Sequence, residues 1–265
     1  MKLPKNSIVD THAHIGDASF DADRGEVLQK ASDAGVAAVI AVGENMDDAR
    51  RNLELAGRHP MIRPAAGLYP TILDWDRAGE MQALIRRERP RLVAIGEVGL
   101  DFWVVKEAHD KEIQKEILKG FVQLSRELDL PLNIHSRSAG RHAVALLLAN
   151  DATRVQMHAF DGKASAALPA VEAGFFFSVP PSVIRSRQKQ KLVRHLPLSC
   201  LLVETDSPVL GPDPHQRNEP ANITVAIKAV AELKSITEDE VLTAVSENTR
   251  RLYGTNVLDG KVASK

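Results

Sequence analysis

Eight short apolar runs, separated by longer stretches with helical spacing, constrain this chain more than any other feature. They are SIVD, VAAVIAV, IRPAAG, LVAIGEV, LPLNIHS, RVQMH, GFFFSV and CLLVET. Between them apolar residues recur every three or four positions; Ile113, Ile117, Phe121, Leu124 and Leu128 lay one stripe along a helix that stops at LDLP. The same reading predicts helices over 22–34, 47–59, 74–88, 140–150, 164–173, 183–194 and 222–234. Nearly continuous apolar strands are buried on both faces, the state of a parallel sheet covered by helices. The expected fold is α/β, a closed (β/α)8 TIM barrel, with an open doubly wound sheet as runner-up. An extra C-terminal helix over 238–253 is expected to pack on its outside. With 265 residues, 44% of them hydrophobic, a single domain spanning 1–265 has enough core to fold.

In such a barrel, active sites gather at the C-terminal ends of the strands. His12 and His14 follow the first run with one residue between them, so their imidazoles leave the same face and can meet one cation. Glu97 closes the fourth run, His135 the fifth and His158 the sixth, and Asp206 follows the eighth in ETDSP. Taken singly, His135 or His158 is as often a satisfied core residue as a ligand. Convergence of six metal-binding side chains on one rim from five separate runs is not explained that way. Imidazole together with carboxylate suits Zn²⁺, Mn²⁺, Fe or Ni and, less naturally, Mg²⁺. Four histidines and two carboxylates exceed the three protein ligands of a mononuclear catalytic site. Two divalent ions ~3.5–4 Å apart are therefore expected, and hydrolysis is the chemistry they serve.

Lysine and arginine number 34 against 35 aspartates and glutamates, so no global basic footprint marks a nucleic-acid binder and any attraction for phosphate is local. Cys200 is the only cysteine, which excludes an intramolecular disulfide and fits a cytoplasmic or, in a eukaryote, nuclear protein. The first ten residues lack the apolar core of a signal peptide, and no apolar run reaches the roughly 18 residues of a membrane span. A monomer without membrane contact is expected.

The stretches DTHAHI, AIGEVGLDF, LPLNIHSRSAGRHAVALL, HAFDG, ETDSPVLGP and RNEP, in this order and spacing, resemble the TatD family of metal-dependent deoxyribonucleases within the amidohydrolase superfamily. The resemblance runs from Ile8 to the closing SENTRRLYG. HSRSAGR, HAFDGK and FFFSVPPSVIRSRQKQKLVRHLPL are most similar to the TatD domain-containing protein 3 branch. It implies that His12, His14 and Asp206 hold one ion, that His135 and His158 hold the other, and that Glu97 bridges them, with Asp206 and Glu97 at the centre of catalysis. It implies a 3′-5′ exodeoxyribonuclease acting on single-stranded DNA or DNA ends through water activated by two divalent ions, Zn²⁺, Mn²⁺ or Mg²⁺. One departure stands out: where the family shows G-x-H-P after the third strand, this chain reads GLYP, with Tyr69 in place of histidine. A phenol donates a hydrogen bond to phosphate but carries no charge.

Further substrate contacts are expected from Arg137, two residues past His135, which can grip a phosphate bidentately. Arg217 and Asn218 join them on the strength of the resemblance alone. Phe102 and Trp103 can stack on a base or pack into a lid. Asp101 is placed to orient a ligand, Gly96 and Gly99 to allow tight packing at the rim. Arg185, Arg187, Lys189, Lys191 and Arg194 read as a solvated helix face. Two other functions stay open: a hydrolase of small esters, phosphoesters or amides, favoured by Tyr69, and a metal-binding protein without catalysis, against which the presence of all six ligands argues.

Overall fold

The computed structural model describes residues 7–255 and Val257. Eight parallel strands, β1 (Ile8–Ala13), β2 (Val36–Ala41), β3 (Ile62–Ala66), β4 (Ala94–Gly99), β5 (Leu132–His135), β6 (Val155–Met157), β7 (Phe176–Val179) and β8 (Leu201–Val203), neighbour one another in chain order. Past the end of β8 the chain meets β1 again. Asp206 N donates to His12 O and His14 N to Ser207 O, both at 2.8 Å, and Thr11 Oγ1 reaches Val203 O at 2.9 Å. The sheet is a nearly closed barrel, as the alternating pattern requires.

Helices α1 (Arg24–Asp33), α2 (Met46–Arg58), α3 (Trp75–Glu88), α4 (Ala108–Leu128), α5 (Gly140–Ala149), α6 (Ala164–Glu172), α7 (Arg187–His195) and α8 (Ile223–Lys234) cover the outside. Their starts follow local chemistry. Asn45 accepts from the backbone of Asp47 and Asp48 at the head of α2, and Asp74 does the same for α3. The expected helix over 183–194 is shorter. Pro181–Ile184 form a 3-10 turn, and the Ser186 hydroxyl caps Lys189 N, so α7 begins only at Arg187. Among the described residues no helix is long and apolar enough to cross a membrane.

The last helix, α9 (Glu238–Tyr253), opens with a capping box between Thr237 and Glu240 and does more than pack outside. Its end turns under the barrel, where Leu252, Tyr253 and Val257 join Val9, Ile40, Phe176 and Leu202 in a second apolar cluster. Arg154, just before β6, fastens this plug by donating to Leu252 O. The main core lies between the sheet and the helices.

Candidate metal centre

Strand alternation layers the barrel interior. The inward positions of β5 carry Asn133 then His135; Gln156 on β6 is followed by His158 just past its end, and Leu202 on β8 by Glu204 and Asp206 beyond its end, so on these three the polar groups stand toward the C-terminal rim. His12 lies inside β1 and Glu97 inside β4, rather than after them. Glycine lets β4 come close enough: a Cβ on Gly99 would stand 2.0 Å from His135 O, and one on Gly96 2.6 Å from Asn133 Cβ. Asp206 itself sits in the left-handed region at φ 54, a conformation aspartate tolerates better than most residues.

All six expected residues meet. His12 Nε2 and His14 Nε2 are 3.4 Å apart; His12 Nε2 is 3.4 Å from Asp206 Oδ1 and 3.8 Å from Glu97 Oε2; His14 Nε2 is 3.5 and 3.4 Å from the same oxygens. Ligands about 2.0–2.2 Å from a tetrahedral ion stand roughly 3.3–3.6 Å from one another, and all of these separations except the longer one from His12 to Glu97 fall in that range. The other oxygens face a second group. Glu97 Oε1 is 2.6 Å from His135 Nδ1 and 3.8 Å from His158 Nε2, and Asp206 Oδ2 is 3.8 Å from His158 Nε2. Both carboxylates thus straddle the two groups, where the family resemblance assigns that role to Glu97 alone.

The electrostatics favour a cation. Burial works against charge on Glu97 and Asp206, yet the surrounding histidines hold both carboxyls well below the usual carboxylate range. Burial likewise opposes protonation of His14 and His135, but Asp206 and Glu97 raise the first well above its ordinary value, and Glu97 and Asp101 push the second up to about 9. Protons on imidazole balance two buried carboxylates here, and a divalent ion does so by displacing them.

A further shell aims the ligands. Asn133 Oδ1 is 2.8 Å from His12 Nδ1, Asp101 Oδ2 is 3.1 Å from His135 Nε2, and Glu204 Oε2 is 2.9 Å from His158 Nδ1. With the ring N–H of each histidine donating to these oxygens, His12 and His158 turn Nε2, and His135 Nδ1, toward the carboxylates. Sequence reading found Asp101 and missed Asn133 and Glu204. The available signal was strand parity, each standing two residues before a ligand, Asn133 within β5 and Glu204 just past the end of β8. Glu44, 3.9 Å from His14 Nδ1, was also missed.

The expected substrate residues divide. Tyr69 and Arg137 line a cavity of 440 Å³ with His135, His158 and Asp206 at its base. The Tyr69 ring meets His135 edge to face at 5.0 Å, and burial with the nearby Glu97 keeps its phenol protonated. Arg137 stacks on Trp103 at 5.4 Å and has no carboxylate partner among the described residues. Arg217 does not come to the cavity: it binds Asp23 with two bonds of 3.0 and 2.5 Å, adds Glu219 at 2.9 Å, and lies over Phe20. Asn218 is buried, donating to Thr205 O and Val209 O and accepting from Glu219 N and Asn222 Nδ2, so it braces the loop after β8. Phe102 packs against the main core and His142; its neighbour Trp103, 58% exposed, is the aromatic at the rim.

Comparison with known proteins fits this geometry. The family model described as TatD related DNase matches residues 9–254. The human protein named deoxyribonuclease TATDN3 is 41% identical over 96% of this chain and 97% of its own. The Erwinia tasmaniensis protein named 3′-5′ ssDNA/RNA exonuclease TatD is 30% identical over 92% of this chain and 98% of its own. Among solved structures, the TatD homologue YjjV of Escherichia coli superposes with a TM-score of 0.86 at 28% identity, covering 94% of this chain and 99% of that one. The chain belongs to the TatD related DNase family.

Proposed function

We propose that this protein is a metal-dependent deoxyribonuclease that trims single-stranded DNA or DNA ends in the 3′-5′ direction with two divalent ions. The observation that carries the reading is the pair of carboxylates, Glu97 and Asp206, each directing one oxygen at His12 and His14 and the other toward His135 or His158. Family membership and the Erwinia relative's name support the substrate class and direction.

In this reading His12, His14, Glu97 and Asp206 would hold one ion, and Glu97, His135, His158 and Asp206 the other. Ions bound there supply electrophilic assistance to the phosphate and a nucleophile from water. Asp206, ionised and at the cavity floor, accepts the proton of the attacking water. Tyr69 donates its phenolic hydrogen to a phosphate oxygen, and Arg137 pairs with the phosphate from the rim. Asn133, Asp101 and Glu204 keep the imidazoles in one tautomer. Asn218 keeps the Asp206 loop in place.

The test is incubation of the purified protein with 3′- or 5′-labelled single-stranded DNA and Mg²⁺, Mn²⁺ or Zn²⁺, with chelator as control. Stepwise loss of a 3′ label, abolished by chelator, is expected. Tyr69 favours a second reading, a hydrolase of small phosphoesters, for which a 440 Å³ cavity is of suitable size. Intact DNA alongside hydrolysis of a small phosphodiester would select it.

A further inference from the structure

One wall of the cavity takes no part in the chemistry just described. Lys189 leaves α7 inward and lines the cavity beside Asp206, instead of joining the solvated face expected of its helix. Its Nζ donates to Ala159 O at 2.8 Å and makes no ion pair among the described residues. Burial lowers its pKa against the opposing pull of Glu204, Asp161 and Asp206. An ammonium with one carbonyl acceptor keeps two N–H donors to offer. On the same cavity Ser136 Oγ is buried, 3% exposed, and has no hydrogen-bond partner. An orphaned buried hydroxyl is costly unless a ligand satisfies it. Asp161, which also lines the cavity, already accepts from Ser138 N at 2.8 Å.

We propose that Lys189 and Ser136 form an anion subsite, distinct from the metal ligands, that takes the internucleotide phosphate next to the scissile one. This rests on the nucleic-acid reading above. A strand entering the cavity brings a phosphate with every nucleotide. The scissile group meets the ions and Tyr69, so its neighbour needs a countercharge of its own. Lysine suits that task as a compact charge with rotatable donors, and the arriving anion repays its desolvation. Ser136 adds a neutral donor. The subsite would therefore distinguish a nucleic-acid strand from a small diester with a single phosphate.

The decisive experiment crosses enzyme and substrate changes. Wild type, Lys189→Met and Lys189→Arg are assayed on one labelled oligonucleotide, unmodified or carrying a neutral methylphosphonate one linkage from the scissile bond. Melting temperatures are recorded to confirm folding. On native DNA, Lys189→Met should raise KM by about tenfold, the scale of one charge-assisted hydrogen bond, with kcat changed far less. Lys189→Arg should recover most of the loss. The neutral linkage should cost wild type a similar factor and cost Lys189→Met nothing further. Independent, multiplying losses, or a fall in kcat and melting temperature with KM unmoved, would make Lys189 a mere anchor for Ala159 and overturn the proposal. Should wild type cut no oligonucleotide, the nuclease reading falls by itself. Calorimetric titration with inorganic diphosphate then decides the subsite: weaker binding to Lys189→Met supports it, and equal binding ends it.

Discussion

Glu204 accepts a hydrogen bond from His158 Nδ1 at 2.9 Å, and the same Oε2 accepts from Ser178 Oγ at 2.6 Å while Oε1 takes Ala159 N at 2.8 Å. The carboxylate is fully buried and does not line the cavity that holds Tyr69 and Asp206, and its bond to His158 Nδ1 fixes the direction of His158 Nε2. Glu204→Gln keeps the volume but places an amide NH₂ against one of these donors. Metal affinity is expected to fall about 10–100-fold, read by titrating apo protein with Mn²⁺ in a calorimeter. An unchanged affinity would show that His158 needs no such partner.

Glu97 is 2% exposed and faces both groups of histidines, so its loss should empty both positions. Elemental analysis of wild type is expected to give close to two divalent ions per chain, and Glu97→Ala close to none. Chelator should lower the wild-type melting temperature by roughly 5–16 °C for each ion removed, the effect of losing an ion present at about 100–1,000 times Kd. It should leave Glu97→Ala unmoved. The barrel should stay folded in every case, because its cores between sheet and helices and at the α9 plug do not involve the ions.

Asp206 isolates the chemistry well because asparagine also accepts its left-handed backbone. Asp206→Asn should fold like wild type and lose about 10²–10⁴-fold in kcat, since the amide neither takes a proton nor ligates strongly. Turnover within a few-fold of wild type would assign the proton to another group.

Much of this architecture was legible because the physics behind it is local and periodic. Strand alternation announces which residues share a face, so the six candidate ligands and the extra helix follow from the chain. What escaped depends on distance across the barrel. Parity could nominate Asn133, Gln156 and Glu204 but not say that Asn133 serves His12 on β1, 121 positions away. Lys189 read as solvated because its neighbours in the basic run are; only the turn at Pro181–Ile184 and the cap at Ser186 set its phase inward. Arg217 read as substrate-facing because nothing local shows that Asp23 will lie across from it.

That partnership makes Arg217 a control. Arg217→Ala removes two bonds to Asp23, one each to Glu219 and Ser19 O, and the stacking on Phe20, and should lower stability modestly. The melting temperature should drop by several degrees while cleavage at 20 °C keeps its wild-type kcat and KM. Arg137→Ala should do the reverse, sparing the melt and weakening DNA cleavage about tenfold or more. A matching loss of activity in Arg217→Ala would return that residue to the substrate path.

Tyr69 is where this chain departs from the family motif, and its position in the cavity gives the departure consequences. Its ring stands 5.0 Å from that of His135, and its hydroxyl stays protonated, so it offers a phosphate a neutral donor where a histidine would offer a charge-assisted bond roughly twice as strong. Tyr69→His should then raise kcat/KM on single-stranded DNA, and Tyr69→Phe, which keeps the ring and removes only the donor, should lower it. Steady-state cleavage of one labelled oligonucleotide by the three proteins at fixed metal concentration checks both. Equal rates would mean that the phenol does not touch substrate. If a small phosphodiester is hydrolysed while DNA stays intact in all three, and more slowly after Tyr69→Phe, Tyr69 belongs to a small-phosphoester site.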